Sequence, residues 1–311
     1  MIICYDNPDY AALILGEAPE RRFSTSAFGN PSLVELAASI FGQKPVYSSS
    51  VVSNNIWQYL FMVETAAVSQ YDVVVELCQR NIQLPHGLLC LAGSGEKFHG
   101  LRRRSWAALP GNIHLTAHLV PNLRMAESGI GFTIIAALSV VDAIDKIEGL
   151  KGRAMIKWVN DIFIDGAKVS GFLTHTLSLD GLISSAVIGI GLNVEATPPI
   201  TPDRFISRAI SLWEIVSDPS ICDQRLVFEY LTEALERNYQ SLASGRLPYL
   251  LDRYRERSII IGREVEIVPD SPGVSPENIV RGQVTAIGDN LELYLKNREK
   301  PITRGRLVLI N

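Results

Sequence analysis

AMIKWVNDIFIDGAKVSGFLTHTLSLDGLISSAVIGIGLNV (154–194) is the most regular stretch of the chain and decides its fold class. AMIKWV, IFID, AKVSGFLTHTLSLD and LISSAVIGIGLNV read as four strands. Asp165-Gly166 and Asp180-Gly181 join the last three, and both dipeptides are two-residue hairpin signals. The core of the protein is therefore an antiparallel-rich sheet. Two chemical features stand out in it. Lys157 lies in an otherwise apolar strand, which is costly unless it meets a partner or a substrate anion; the plain alternative is a strand-edge lysine reaching water. Gly189 and Gly191 alternate along the last strand and strip side chains from one face, so that a ligand, or simply a packed helix, comes close. No helix follows these glycines at dinucleotide-fingerprint spacing.

Outward from this block, GFTIIAALSVVDAIDKIEG within 128–149 has the 3- and 4-residue spacing of a long helix. Before it come NIHLTAHLV, a strand, and LLCLA, a short buried strand. Between those two lies a basic, Gly-rich loop, GSGEKFHGLRRRSW (93–106), whose Arg102, Arg103 and Arg104 could surround an anion or form a solvated charge cluster. Trp106 beside it reads as a packing residue more readily than as a stacking platform. SQYDVVVELCQRN, with Ser69 as N-cap, is a helix, and VYSSSVVSNN with WQYLFMV is β-rich. The first 45 residues read as an appendage with one amphipathic helix, LVELAASIFG, capped by Asn30. Downstream of Pro199, SRAISLWEIV and QRLVFEYLTEALERNYQSL read as helices. From about Ser258 onward, REVEIV, GQVTAIG, LELYLK and RLVLIN are short strands of a small barrel.

Composition bounds the function. The 311 residues are 47% apolar and 20% charged with a net charge of −4, which fits a globular chain with a sizeable core and excludes disorder. No apolar run approaches the roughly 18 residues of a membrane span. The start, MIICYDNPDY, lacks the basic and apolar regions of an export leader, so a cytoplasmic location is expected. Cys4, Cys78, Cys90 and Cys222 show no metal spacing and are expected to be buried free thiols. The five histidines are dispersed, which argues against a zinc site or a Ser/His/Asp hydrolase. The slightly acidic balance and the lone N-terminal helix argue against DNA binding.

In this order the segments resemble the biotin–protein ligases, within the biotin/lipoate ligase superfamily. KWVND (157–161), KVSG (168–171) and IGIGLNV (188–194) stand where that family has Lys-Trp-Pro-Asn-Asp, Lys-x-x-Gly and Ile-Gly-x-Gly-x-Asn-Val. AISL (209–212) is similar to its small-Thr-Ser-Leu segment, and the likeness runs from about Ser69 to Asn311. The departures lie upstream. Ser69 matches the family's Ser-Thr-Asn, but Gln70 and Tyr71 follow it. In the family's Gln-x-x-Gly-Arg-Gly-Arg-x-x-Arg-x-Trp loop, Gly100, Arg104 and Trp106 are kept, whereas Gly95, Phe98, His99 and Leu101 replace Gln, Gly, Arg and Arg, and Val159 replaces the proline of the lysine motif.

The resemblance implies a class II synthetase-like α/β catalytic domain (46–256) of mixed sheet and flanking helices, followed by an SH3-like β-barrel (257–311). It implies a ligase that joins biotin to ATP as biotinyl-5′-AMP and passes the acyl group to a carrier-protein lysine. Lys157 and Arg104 would be catalytic; Ser69, His99, Gly100, Leu101, Arg102, Arg103, Trp106, Lys168, Gly171, Gly189 and Gly191 would hold the acid and adenylate. Asn160, Asp161 and Asn193 would face ATP and Mg²⁺, with no metal held by protein alone. A homodimer is compatible with the sequence. Two alternatives stay open: a lipoate or other acyl ligase, or a silent relative that binds a small carboxylate or nucleotide.

Overall fold

The computed structural model describes residues 1–18, 21–52, 55–125, 129–269 and 279–310. Ser128, at the head of the long-helix reading, lies outside them. The strands are β1 (Ile2–Tyr5), β2 (Tyr47–Ser50), β3 (Tyr59–Ala66), β4 (Leu88–Gly95), β5 (Ile113–Leu119), β6 (Leu123–Arg124), β7 (Met155–Lys157), β8 (Asp161–Ile164), β9 (Ala167–Leu179) and β10 (Leu182–Leu192). They form one sheet in the order β2-β1-β3-β4-β5-β10-β9-β8-β7, with β6 on the end of β10. Among the described strands, only the β1–β3 and β3–β4 pairings are parallel. The two predicted hairpins are present. Asp165 and Gly166, and Asp180 and Gly181, all take positive φ, as a tight hairpin turn between right-twisted strands requires.

Helices cover both faces. Helices α2 (Pro31–Phe41) and α3 (Gln70–Gln79) bury Leu33, Leu36, Val74 and Leu77 against Phe61 and Val63 on one side. On the other lies α4 (Gly131–Asp145), apolar all round because α5 (Gln224–Ala243) and α6 (Leu247–Glu256) cover its outer side. Gly131 has no side chain where Leu242 of α5 packs. The remaining strands, β11 (Glu264–Val268), β12 (Val280–Ile287), β13 (Leu293–Leu295) and β14 (Arg306–Leu309), make a separate antiparallel sheet consistent with an SH3-like fold. Its core is continuous with the main one. Trp158 Nε1 donates to Leu291 O at 2.7 Å, fastening it beside the large sheet, and Arg255 Nε of α6 donates to Ile287 O at 2.8 Å, fastening it to that helix.

Two readings need correction. The first 45 residues are not an appendage: β1 lies between β2 and β3 with Ile3, Cys4 and Tyr5 buried, and α1 (Pro8–Leu15), capped by Asn7, adds Tyr10, Ala11 and Ile14 to the core. SRAISLWEIV is not a helix. Its backbone is committed elsewhere: Ile210 N donates to Lys168 O at 3.0 Å, and Leu212 N and Trp213 N donate to Asn193 O and Val194 O. The spacing that suggested a helix reflects separate burial of Ile210 and Leu212. All four cysteines are free and buried. Among the described residues, no helix is long and apolar enough to cross a membrane.

Candidate active site

A cavity of about 380 Å³ opens where β10, β9 and β5 meet the basic loop, within the usual size range for small-molecule sites. Its floor is the bare face of β10. A Cβ on Gly189 would meet the Tyr71 ring at 2.8 Å, and one on Gly191 would meet the Trp106 ring at 2.5 Å. Of the expected uses, the packed helix is present at Gly189, where Tyr71 sits, while a loop aromatic, Trp106, covers Gly191. Opposite them in register stand Thr116 and His114 of β5.

The basic loop is ordered by its own backbone. Gly100 N donates to Arg104 O at 2.7 Å and Trp106 N to Phe98 O at 2.9 Å, closing a hairpin whose tip carries Arg102 and Arg103 at positive φ. Arg104 lines the cavity, with its Nε donating to Leu101 O at 3.0 Å. Arg102 and Arg103 do not line it. Arg103 is 78% exposed and reaches toward Asp72 at 3.5 Å. His99 is in the cavity wall, but its Nε2 faces both carboxylate oxygens of Asp72 at 2.9 Å, and its Nδ1 faces Gly100 O at 2.9 Å. Any charge on His99 is therefore met by Asp72 rather than offered to a ligand.

On the opposite wall, Lys168 Nζ pairs with Asp161 Oδ1 at 2.6 Å and lies 5.7 Å from the Trp106 ring centroid. Gly171 leaves room for that ammonium. Asn160 Nδ2 donates to Phe172 O at 2.8 Å, which ties the end of the lysine motif to β9. Asn193 Nδ2 donates to Ile210 O at 3.1 Å, while its buried Oδ1 has no partner among the described residues. Lys157 does not line the cavity. It is buried behind the wall, donates to Phe205 O, and its pKa falls to about 8. Burial is the main cause; Lys168 and Arg306 lower it further, and Asp161 and Asp203 oppose them.

One lining cation was missed from sequence. Arg306, on β14, places its guanidinium 3.3 Å from the Phe205 ring centroid and 3.4 Å from Asp203 Oδ2. Burial, then the nearby Arg104, holds its pKa below the ordinary arginine value. Arg102 is depressed by burial, Arg104 and Arg306, which puts three guanidiniums in one region. No local motif marks Arg306, because it reaches the site only through the docking of the small sheet. Ser69, Gly100, Leu101, Trp106, Lys168, Gly171, Gly189, Gly191, Asn160, Asp161 and Asn193 all line the cavity.

The candidate site is a glycine-floored groove in a mixed sheet, walled by lysine and arginine. The sequence profile of the Biotin/lipoate A/B protein ligase family matches residues 87–193. Among curated proteins it is 30% identical over 161 residues to the bifunctional ligase/repressor BirA of Bacillus subtilis, covering 51% of this chain and 48% of that one. It is 32% identical over 99 residues to the biotin--[acetyl-CoA-carboxylase] ligase of Paracoccus denitrificans, covering 32% of this chain and 41% of that protein. The chain spans about half the length of the BirA relatives it matches. The biotin protein ligase from Aquifex aeolicus, solved in complex with biotin and ATP, superposes with a TM-score of 0.63 at 20% identity, over 82% of this chain and 99% of that one. That likeness establishes the fold.

Proposed function

We propose that this chain is an ATP-dependent ligase that makes an acyl-adenylate, with biotin as the acid, and transfers the acyl group to a lysine of a carrier protein. The observation that carries the reading is the convergence of Arg104, Arg306 and Lys168 on one glycine-floored cavity, with Lys157 directly behind its wall. The reaction needs those charges. A carboxylate oxygen bonds to the α-phosphorus of ATP, the bond from that phosphorus to the bridging oxygen breaks, and pyrophosphate leaves. Carboxylate and triphosphate repel each other, and each well-placed cation offsets roughly 4 kcal/mol at about 4 Å in an effective dielectric near 20. Arg104 and Arg306 hold phosphates. Lys157 exchanges Phe205 O for the developing charge between carboxylate and α-phosphate. In the second step a carrier lysine amine attacks the acyl carbon, AMP leaves, and the amine loses a proton as the amide forms.

Among the described residues no three His, Cys, Asp or Glu side chains converge to hold a metal. Mg²⁺ would arrive with the triphosphate, and Asp161 and Asp203 are carboxylates lining the cavity that it would meet. When bound it supplies positive charge to the leaving pyrophosphate. The N-terminal segment serves the sheet in this reading, with β1 between β2 and β3. Exchange of labelled pyrophosphate into ATP tests the proposal. Exchange that depends on biotin is expected; exchange only with lipoate or octanoate would change the acid, and none with any of the three would leave a binding protein.

A further inference from the structure

The proposed site contains a buried acceptor that the reaction chemistry above does not use. His114 is 3% exposed, lines the cavity and lies directly across from Gly191. Its Nε2 is 3.1 Å from Leu109 O, and a carbonyl oxygen can only accept, so Nε2 carries the hydrogen. Burial pulls the imidazole pKa down to about 4, which leaves the ring neutral near neutral pH. Nδ1 is then a lone pair. It is sealed from solvent and has no partner among the described residues. The Phe98 ring packs beside it at 5.5 Å, so the imidazole does not turn freely. The Nε1 donor of Trp106, whose ring stands over Gly191, is also buried and unpartnered.

A buried acceptor without a partner lowers stability unless a ligand donor fills it, and such a site rejects analogues that lack the donor. Resting on the ligase reading, we propose that His114 Nδ1 accepts an N–H from the bound ligand and so selects for a ligand with an N–H beside an acceptor atom, the Trp106 indole answering that second atom. Two ligand parts offer this chemistry: the cyclic urea of biotin, and the exocyclic amine with its neighbouring ring nitrogen on adenine. Acids such as lipoate or octanoate offer no N–H. If the urea is the donor, His114 is the residue that makes biotin the substrate, and that assignment does not depend on the altered arginine loop.

Calorimetric affinities for biotin, octanoate, ATP and purine riboside triphosphate, in the wild type, His114→Phe and His114→Gln, test the assignment. A urea donor predicts that His114→Phe weakens biotin by about 10- to 100-fold and leaves octanoate and both nucleotides within about threefold. An adenine donor predicts the same loss for ATP, with purine riboside triphosphate, which has no N–H on its base, and both acids spared. Gln retains an acceptor and should recover much of the loss. The ¹⁵N resonance of His114 Nδ1 in the wild type gives a readout free of folding effects: it should move on adding the N–H-bearing ligand and stay still with octanoate. Unchanged biotin and ATP affinities in His114→Phe, equal losses for all four ligands, or an Nδ1 resonance that ignores every ligand would each overturn the assignment alone. A wild type that binds none of the four would overturn the ligase reading and this assignment with it.

Discussion

Replacing Arg306 with alanine removes a cation that reaches the cavity from outside the main sheet. Its guanidinium is 26% exposed on the side chain, lines the cavity, and is held by Asp203 at 3.4 Å. A charge-assisted hydrogen bond to phosphate contributes about 1.5–3 kcal/mol, so losing one should weaken ATP by about 10- to 150-fold. The upper part of that range is expected, because Asp203 would then face the triphosphate without its counter-charge. The Asp203→Asn/Arg306→Ala double variant should accordingly bind ATP several-fold better than Arg306→Ala. Arg306→Lys keeps the charge but loses the planar contact with Phe205, and should fall between. Calorimetry with ATP and with pyrophosphate gives the affinities, and biotin binding serves as the control that the fold persists. ATP affinity within about threefold of wild type in Arg306→Ala would refute the claim that the small sheet completes the nucleotide site.

Lys157→Ala should cut adenylate formation by at least about a hundredfold with substrate affinities nearly intact, as expected for a cation used mainly in the transition state; unaltered pyrophosphate release would remove it from the mechanism. Its pKa near 8 also sets a pH dependence: the ammonium is lost as pH rises through about 8, so adenylate formation by the free enzyme should decline above that point. The stability effect runs the other way. Between about 8 and the ordinary lysine value of 10.5 the unfolded chain still binds the proton, so stability from this group rises with pH, measurable as an upward shift in denaturation midpoint that Lys157→Met abolishes. Gly191→Ala places a Cβ 2.5 Å from the Trp106 ring; it should displace the indole, change its fluorescence and weaken ligand binding by at least about tenfold. Asn112→Ala should lower stability by about 2–4 kcal/mol, because its buried Oδ1 accepts from Val194, Glu195 and Ala196 N–H groups, which would be stranded; chemical denaturation measures it.

What the sequence made legible was what local chemistry controls. Asp165-Gly166 and Asp180-Gly181 announce their turns because both positions need positive φ. Gly189 and Gly191 announce a bare face because glycine on a strand has no other local use. The occupants of that face, Tyr71 and Trp106, come from a helix and a loop far off in the chain, and no periodicity links them. IICY was overlooked as a strand because four residues flanked by Asp-Asn-Pro carry no alternation; its place follows from pairing with β3. The basic loop was readable as a charge cluster, yet which guanidinium faces the cavity depends on the positive φ at Arg102 and Arg103, which turns the tip outward and leaves Arg104 inward. Arg306 was beyond reach for a similar reason, since only the docking of a second sheet brings it to the first.

The central claim is that this cavity activates an acid with ATP, and incubation with ATP labelled in its α-phosphate, together with biotin, tests it most directly. The account predicts a labelled biotinyl-adenylate that stays with the protein and disappears, with release of labelled AMP, when a carrier protein bearing an acceptor lysine is added. Labelled ATP recovered intact after prolonged incubation with biotin, lipoate or octanoate would contradict it.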